Sequence, residues 1–274
     1  MTLVAPCVAS VPGTGATLRA VIRRGLRDQR RAPLIWGGSL GAMSALMAAL
    51  WPSIEGSVDT LLRSYPEKLK EAFNIRALTS VEAYIDAEML SLIVPLALAF
   101  LAVRVTVGLL SGAEEGGRLD IVLAAPVARR TLAAAAFAVA AVVVAAVLAV
   151  IIALTWVVGT AVGADPSLVV LGRGLANVWP LAMFFAGLAV LAAGRLHRGA
   201  PVTAVATGTL GGMYVLDLVG KLADLPALRA VSAFRYYGSA IQDGIDPLAF
   251  AGLTLAGAAL AVLGAWLLER RDIL

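Results

Sequence analysis

The chain has 274 residues, 60% of them apolar and only 15% charged, with a mean hydropathy of +0.89. A soluble domain carries about 25% charged residues, so this balance excludes an ordinary cytosolic enzyme, a disordered tail and a nucleic-acid module. One histidine and one cysteine, His197 and Cys7, exclude most protein-only metal sites and an intrachain disulfide framework.

Residues 1–17 lack the basic start of a signal peptide and are expected to form a mobile cytosolic tail. Residues 18–31 pattern as a basic amphipathic helix on the membrane surface. Leu18, Val21, Ile22 and Leu26 share one face, and Arg19, Arg23, Arg24, Arg27 and Arg30 lie elsewhere. From there a single domain, 18–274, follows. It contains six segments long and apolar enough to cross a bilayer, at about 33–52, 89–110, 131–160, 175–194, 200–220 and 248–268. The fold class is therefore all-α, a polytopic membrane protein.

Span one carries Gly37, Gly41, Ala45 and Ala49 at four-residue spacing, a stripe that lets another helix approach closely. Trp36 and Trp51 flank it in the manner of an interfacial aromatic belt. Loop 53–88 includes a helix after Pro66, and Thr79-Ser80-Val81-Glu82 fits a capping box, so span two is expected to begin near residue 80. Pro95 is expected to bend that span. Arg104 lies ten residues before Glu114, about 15 Å along the helix. That puts a charge near mid-membrane, where it lines a pathway, holds an anionic group, or serves structure alone. Asp217 is a candidate partner.

Residues 111–130 form the largest loop on the side of the amino terminus. Glu114 and Glu115 lead into a glycine pair; Leu119, Val122 and Leu123 make an apolar edge; Pro126 ends the stretch. Span three runs uncharged from Thr131 to Ala164, longer than one crossing needs. Pro180 is expected to kink span four. The short Arg195–Gly199 turn makes spans four and five a hairpin. Span five carries Gly208 and Gly212, a second close-packing stripe. Segment 221–247 precedes span six and contains Phe234, Arg235, Tyr236 and Tyr237.

With both termini in the cytosol, the cytosolic pieces carry a net +7 and the outer pieces a net −4, as the positive-inside rule requires. The overall basicity is a topology signal, not a sign of nucleic-acid binding. No Gly-x-x-x-x-Gly-Lys-Ser/Thr loop occurs, so this chain lacks the usual phosphate cradle.

Loop 111–130 resembles the first cytosolic loop of type-two ABC exporter permeases. Gly112, Glu114, Glu115, Gly117, Leu119, Asp120, Leu123, Ala124, Pro126, Val127 and Arg129 stand at matching positions; Ala113, Gly116 and Arg118 depart. Ser232-Ala233-Phe234-Arg235-Tyr236-Tyr237 resembles the segment before the last span of that family, with Ala233 in place of a proline and Arg235 in place of a histidine. The resemblance implies a six-helix half-transporter in a bacterial cytoplasmic membrane. It further implies a coupling helix through Glu114, Glu115, Arg118, Leu119, Asp120, Val122, Leu123 and Pro126 that contacts an ABC ATP-binding subunit. Short extracytoplasmic helices would shape an exit gate with Phe234, Arg235, Tyr236 and Tyr237. The chain itself would not be an enzyme and would bind no cofactor; ATP and Mg would sit on the partner. Pairing with a second permease chain would use Gly37, Gly41, Ala45, Gly208 and Gly212, with membrane lipid around the pair. The rival readings are an ATP-independent secondary transporter and a non-transporting resistance or assembly factor. Halves 1–130 and 131–274 show no internal repeat of the kind the first rival usually carries.

Overall fold

The computed structural model describes residues 14–57, 80–110, 128–196 and 198–270. Among these residues every regular element is helical. Six helices are long and apolar enough to span: Pro33–Ile54, Ile93–Leu110, Arg129–Ala161, Leu168–Arg195, Gly199–Leu222 and Pro247–Glu269. The expected spans thus stand nearly where the hydropathy placed them. Span four begins seven residues earlier than expected, because Ser167 caps a helix at Leu168 with its hydroxyl accepting from the Val170 N–H.

Spans two and four form the buried centre. Spans one and three pack on one side of them; spans five and six lie at the periphery, mostly uncovered. The end bearing the amino terminus is called the near end below, and the opposite one the far end.

The prolines act as expected. Pro95 leaves the carbonyl of Ser91 without a donor and crowds it. The helix breaks at Ser91–Leu92, after a wide turn in which the Ser91 N–H donates to Asp86 O at 2.9 Å. Pro180 does the same to Ala176, and span four is interrupted at Asn177.

The first helix, Thr14–Asp28, starts earlier than expected. Its polar and apolar faces fall as patterned: Arg19, Arg23, Arg24 and Arg27 are exposed, while Ile22 and Leu26 join the core. The apolar face, expected to lie on the membrane surface, turns toward the bundle. Gly25 sits so close to Leu109 and Val139 that a methyl there would come within 2.9 Å of each.

Spans one and three are joined by the stripe in span one. A Cβ on Gly37 would meet Val150 at 2.8 Å, and one on Gly41 would meet Leu154 at 2.8 Å. Ala45 is buried beside them. A buried hydrogen bond from Thr155 Oγ1 to Ser44 Oγ, 2.8 Å, crosses the same seam. These small residues therefore serve packing inside one chain. The closest approach in the bundle lies elsewhere, between spans four and six. A Cβ on Gly257 would fall 2.6 Å from the Met183 carbonyl oxygen, and one on Gly264 would fall 2.5 Å from that of Val190. Backbone meets backbone there, and the sequence reading singled out neither glycine.

Two further expectations are corrected. Trp51 is not an interfacial belt residue; it is buried, its ring 5.8 Å from that of Tyr84. The cap of the helix leading into span two is Ser80 rather than Thr79, its hydroxyl accepting from the Ala83 N–H. Glu82 reaches across the bundle, where its carboxylate accepts from the Ser167 N–H at 2.7 Å.

Candidate functional site

At the far end, the chain between spans five and six folds back into the bundle. Span five ends at Leu222, Asp224 takes a positive φ of 53°, and a short helix runs over Pro226–Ala230. A second, Ala233–Tyr237, is capped by Ser232. Gly238, at φ 55°, turns the chain again, a conformation that favours glycine. Asp246 then caps span six by accepting from the Leu248 and Ala249 N–H groups.

Side chains of span four, together with the segment's own Ser232 and Tyr237, tie this re-entrant pair to three spans. Asn177 Nδ2 of span four donates to the Tyr237 carbonyl at 2.5 Å. Arg173 of the same span donates to the Ile241 carbonyl at 2.5 Å. The Ser232 hydroxyl donates to the Met213 carbonyl of span five at 2.7 Å. The Tyr237 hydroxyl donates to the Leu90 carbonyl at the head of span two, 3.2 Å. Asn177 lies nine residues inside span four, so Tyr237 sits about 13 Å below the end of that helix. An irregular backbone at that depth is tolerated only where protein satisfies its polar groups, and these bonds do so.

Two carboxylates organise the chemistry. Asp86, almost wholly buried, accepts from Ser239 Oγ at 2.5 Å and from Gln242 Nε2 at 3.2 Å. Asp217 is also buried, paired with Lys221 at 2.9 Å and Arg229 at 3.3 Å. Between them lies a polar cavity of about 160 Å³, lined by Asp86, Ser91, Tyr214, Asp217, Arg229 and Tyr237 among others. Burial first, and the Asp86 charge second, hold the Tyr237 phenol well above its usual 10. It stays a neutral donor at any physiological pH.

The sequence-derived residues divide sharply. Phe234 is buried in an aromatic cluster, 5.4 Å from Tyr214 and 6.2 Å from Phe185 between ring centres. Tyr237 joins it at the cavity, and Arg235, though exposed, lines the same cavity, whereas Tyr236 does not reach it. Arg235 donates to the Pro226 carbonyl at 3.2 Å, an internal tie of the re-entrant pair. Arg104 is not brought to this site. Its neighbour one turn away, Phe100, stands 6.2 Å from Trp36, near the start of span one. Arg104 is thus level with that start rather than with its middle, and it is exposed. Asp217, considered as its partner, is committed to Lys221 and Arg229. Gly208 and Gly212 face open space among the described residues. The loop residues Glu114, Glu115, Arg118, Leu119, Asp120, Val122, Leu123 and Pro126 lie outside the described residues, as does His197.

Asp86, Asn177, Arg173, Ser239 and Gln242 were missed from sequence. The available signal was a carboxylate and an asparagine bordering apolar helices, where an ionisable or amide group must find a partner.

Fold and site together define a polytopic α-helical membrane protein whose far end is closed by a re-entrant segment. Residues 18–268 match the family model described as the C-terminal domain of the multidrug efflux system permease Rv1217c. The chain belongs to that family, and its role is membrane transport, as a permease of an efflux system. No curated protein matches it.

Proposed function

We propose that the chain is the membrane permease of an ATP-driven exporter that moves a hydrophobic or amphipathic substrate out of the cell. ATP and Mg would be held by a separate ATP-binding subunit, and both termini would face the cytosol in a bacterial cytoplasmic membrane. The observation that carries the reading is the re-entrant segment 226–246, folded into the far end and joined by hydrogen bonds to span four, span five and the head of span two. Such a closure needs no covalent change to open. Its bonds exchange for bonds to water or substrate, and a difference of a few kcal/mol between two packings suffices to switch it.

In this reading Phe234 and Tyr237 form the inner surface of an exit gate, and Arg235 and Tyr236 its rim. Arg104 would stand near the cytosolic entrance to the pathway. The stretch containing Glu114, Glu115 and Leu119 would be the coupling helix. A second permease chain would pack against span five, where Gly208 and Gly212 are open. Span one contributes less than expected, since Gly37 and Gly41 already take span three.

The test is co-purification in mild detergent with the ATP-binding subunit encoded nearest to the chain. ATP hydrolysis is then compared between the natural chain and a Glu114→Ala, Glu115→Ala, Leu119→Ala variant. A stable complex whose assembly or coupled hydrolysis fails in the variant supports the proposal. A chain that transports without associating with any such subunit replaces it with a secondary transporter.

A further inference from the structure

A second groove, of about 510 Å³, runs down the outside of the bundle at the far end. It shares no lining residue with the polar cavity. Its walls include Phe184 of span four, Val231 and Tyr236 of the re-entrant pair, and Leu248, Gly252 and Ala256 of span six.

Three features of this groove point to one occupant. The first is depth. From Asp246 to Ala256 is ten helical residues, about 15 Å, and a bilayer core is about 30 Å thick, so the groove is as deep as one leaflet. The second is direction. Leu248 is 85% and Val231 67% exposed, and further down the same helix Leu255 is 68% and Val262 70% exposed. The groove opens sideways on a helix whose uncovered face is apolar throughout. The third is polarity. At its mouth stand the Asp246 carboxylate and the Tyr236 hydroxyl, which donates to the Ala230 carbonyl at 3.4 Å. Along its floor the Ser232 N–H already donates to the Arg229 carbonyl, and the Ser232 hydroxyl donates to the Met213 carbonyl while accepting from the Phe234 N–H. An apolar cleft in the bilayer gains dispersion contacts only from another apolar body.

We propose that this groove seats one acyl chain of a phospholipid from the far leaflet. The chain wedges the re-entrant pair against spans four and six, so that the lipid becomes part of the wall beside the far-end closure.

The experiment uses the full chain in nanodiscs of phosphatidylethanolamine and phosphatidylglycerol, doped with a phospholipid carrying a photoreactive diazirine in mid-chain. Cross-linked residues are mapped by mass spectrometry. Labelling at 231–236 and 248–256 is expected to exceed, several-fold, that at lipid-facing positions of span three such as Val142 and Val157. Gly252 lines the groove, and a Cβ there meets nothing within 4 Å, so Gly252→Phe starts its side chain in open space at the groove wall. It is expected to cut the excess to the span three level, while Gly252→Ala retains it. Equal labelling of all exposed helices overturns the proposal. So does labelling unchanged by Gly252→Phe, or cross-linking of the groove to a second protein chain instead of lipid. None of these readouts requires an ATP-binding subunit, so this proposal and the preceding one fail separately.

Discussion

The seam between spans four and six and the closure at the far end are built on opposite principles. In the seam, Gly187, Gly257 and Gly264 let two backbones touch, with no charged group between them. At the far end, Asp86, Asp217, Arg173 and Asn177 hold short pieces of chain through directional bonds. A dry backbone contact has one arrangement: a gap of about 0.5–1 Å already forfeits roughly a quarter to a half of its dispersion energy, and nothing replaces it. A set of hydrogen bonds has several, because each partner can be replaced by water or a ligand at a small net cost. The seam is accordingly a fixed element, and the closure is a convertible one.

The comparison breaks most visibly at the glycines. Gly257→Leu should lose about 3 kcal/mol or more, since the new side chain meets backbone that cannot retreat. Thermal unfolding in detergent should show it as loss of the folded fraction. Asp217→Ala comes next. It leaves Lys221 and Arg229 facing each other without their shared carboxylate, at a cost of about 2 kcal/mol, moderated because both cations are partly exposed. Its effect should be local, read as faster proteolysis or hydrogen exchange over 221–246 with the spans intact. Asp86→Ala should cost about 1–2 kcal/mol by stranding Ser239 and Gln242, and Asp86→Asn should recover part of this by keeping an acceptor. The smallest change has the opposite sign. The Thr106 hydroxyl is buried in span two with no hydrogen-bond partner among the described residues. Thr106→Val should therefore raise stability, by up to about 1 kcal/mol, in the same unfolding assay.

The sequence made the spans legible because twenty apolar residues in a row admit few alternatives. Breaks at Pro95 and Pro180 were legible for a similarly local reason: a missing N–H has a fixed consequence one turn upstream. The pairing of helices was not. Span one's small-residue stripe and the glycines of spans four and six look alike in sequence, yet the first meets mainly side chains of span three and the latter bring backbone closest to backbone. Which helix meets which is decided by total packing, and single-span periodicity does not contain it. The far-end site was half legible. Phe234 and Tyr237 stood out in the segment before span six, and both line or underlie the cavity. Asp86 lies about 150 residues from Ser239 and Gln242, and nothing local announces such a pairing.

The central claim is that the closure converts while the seam stays fixed. Hydrogen–deuterium exchange of the chain in nanodiscs, with and without Asp86→Ala, tests it most directly. Opening free energies differ between such regions and are read amide by amide. The account predicts that amides of 226–246 exchange faster than those of 183–194 and 257–264, and that Asp86→Ala accelerates only the first group. Equal exchange in both regions, or acceleration that spreads evenly into the glycine seam, would contradict it.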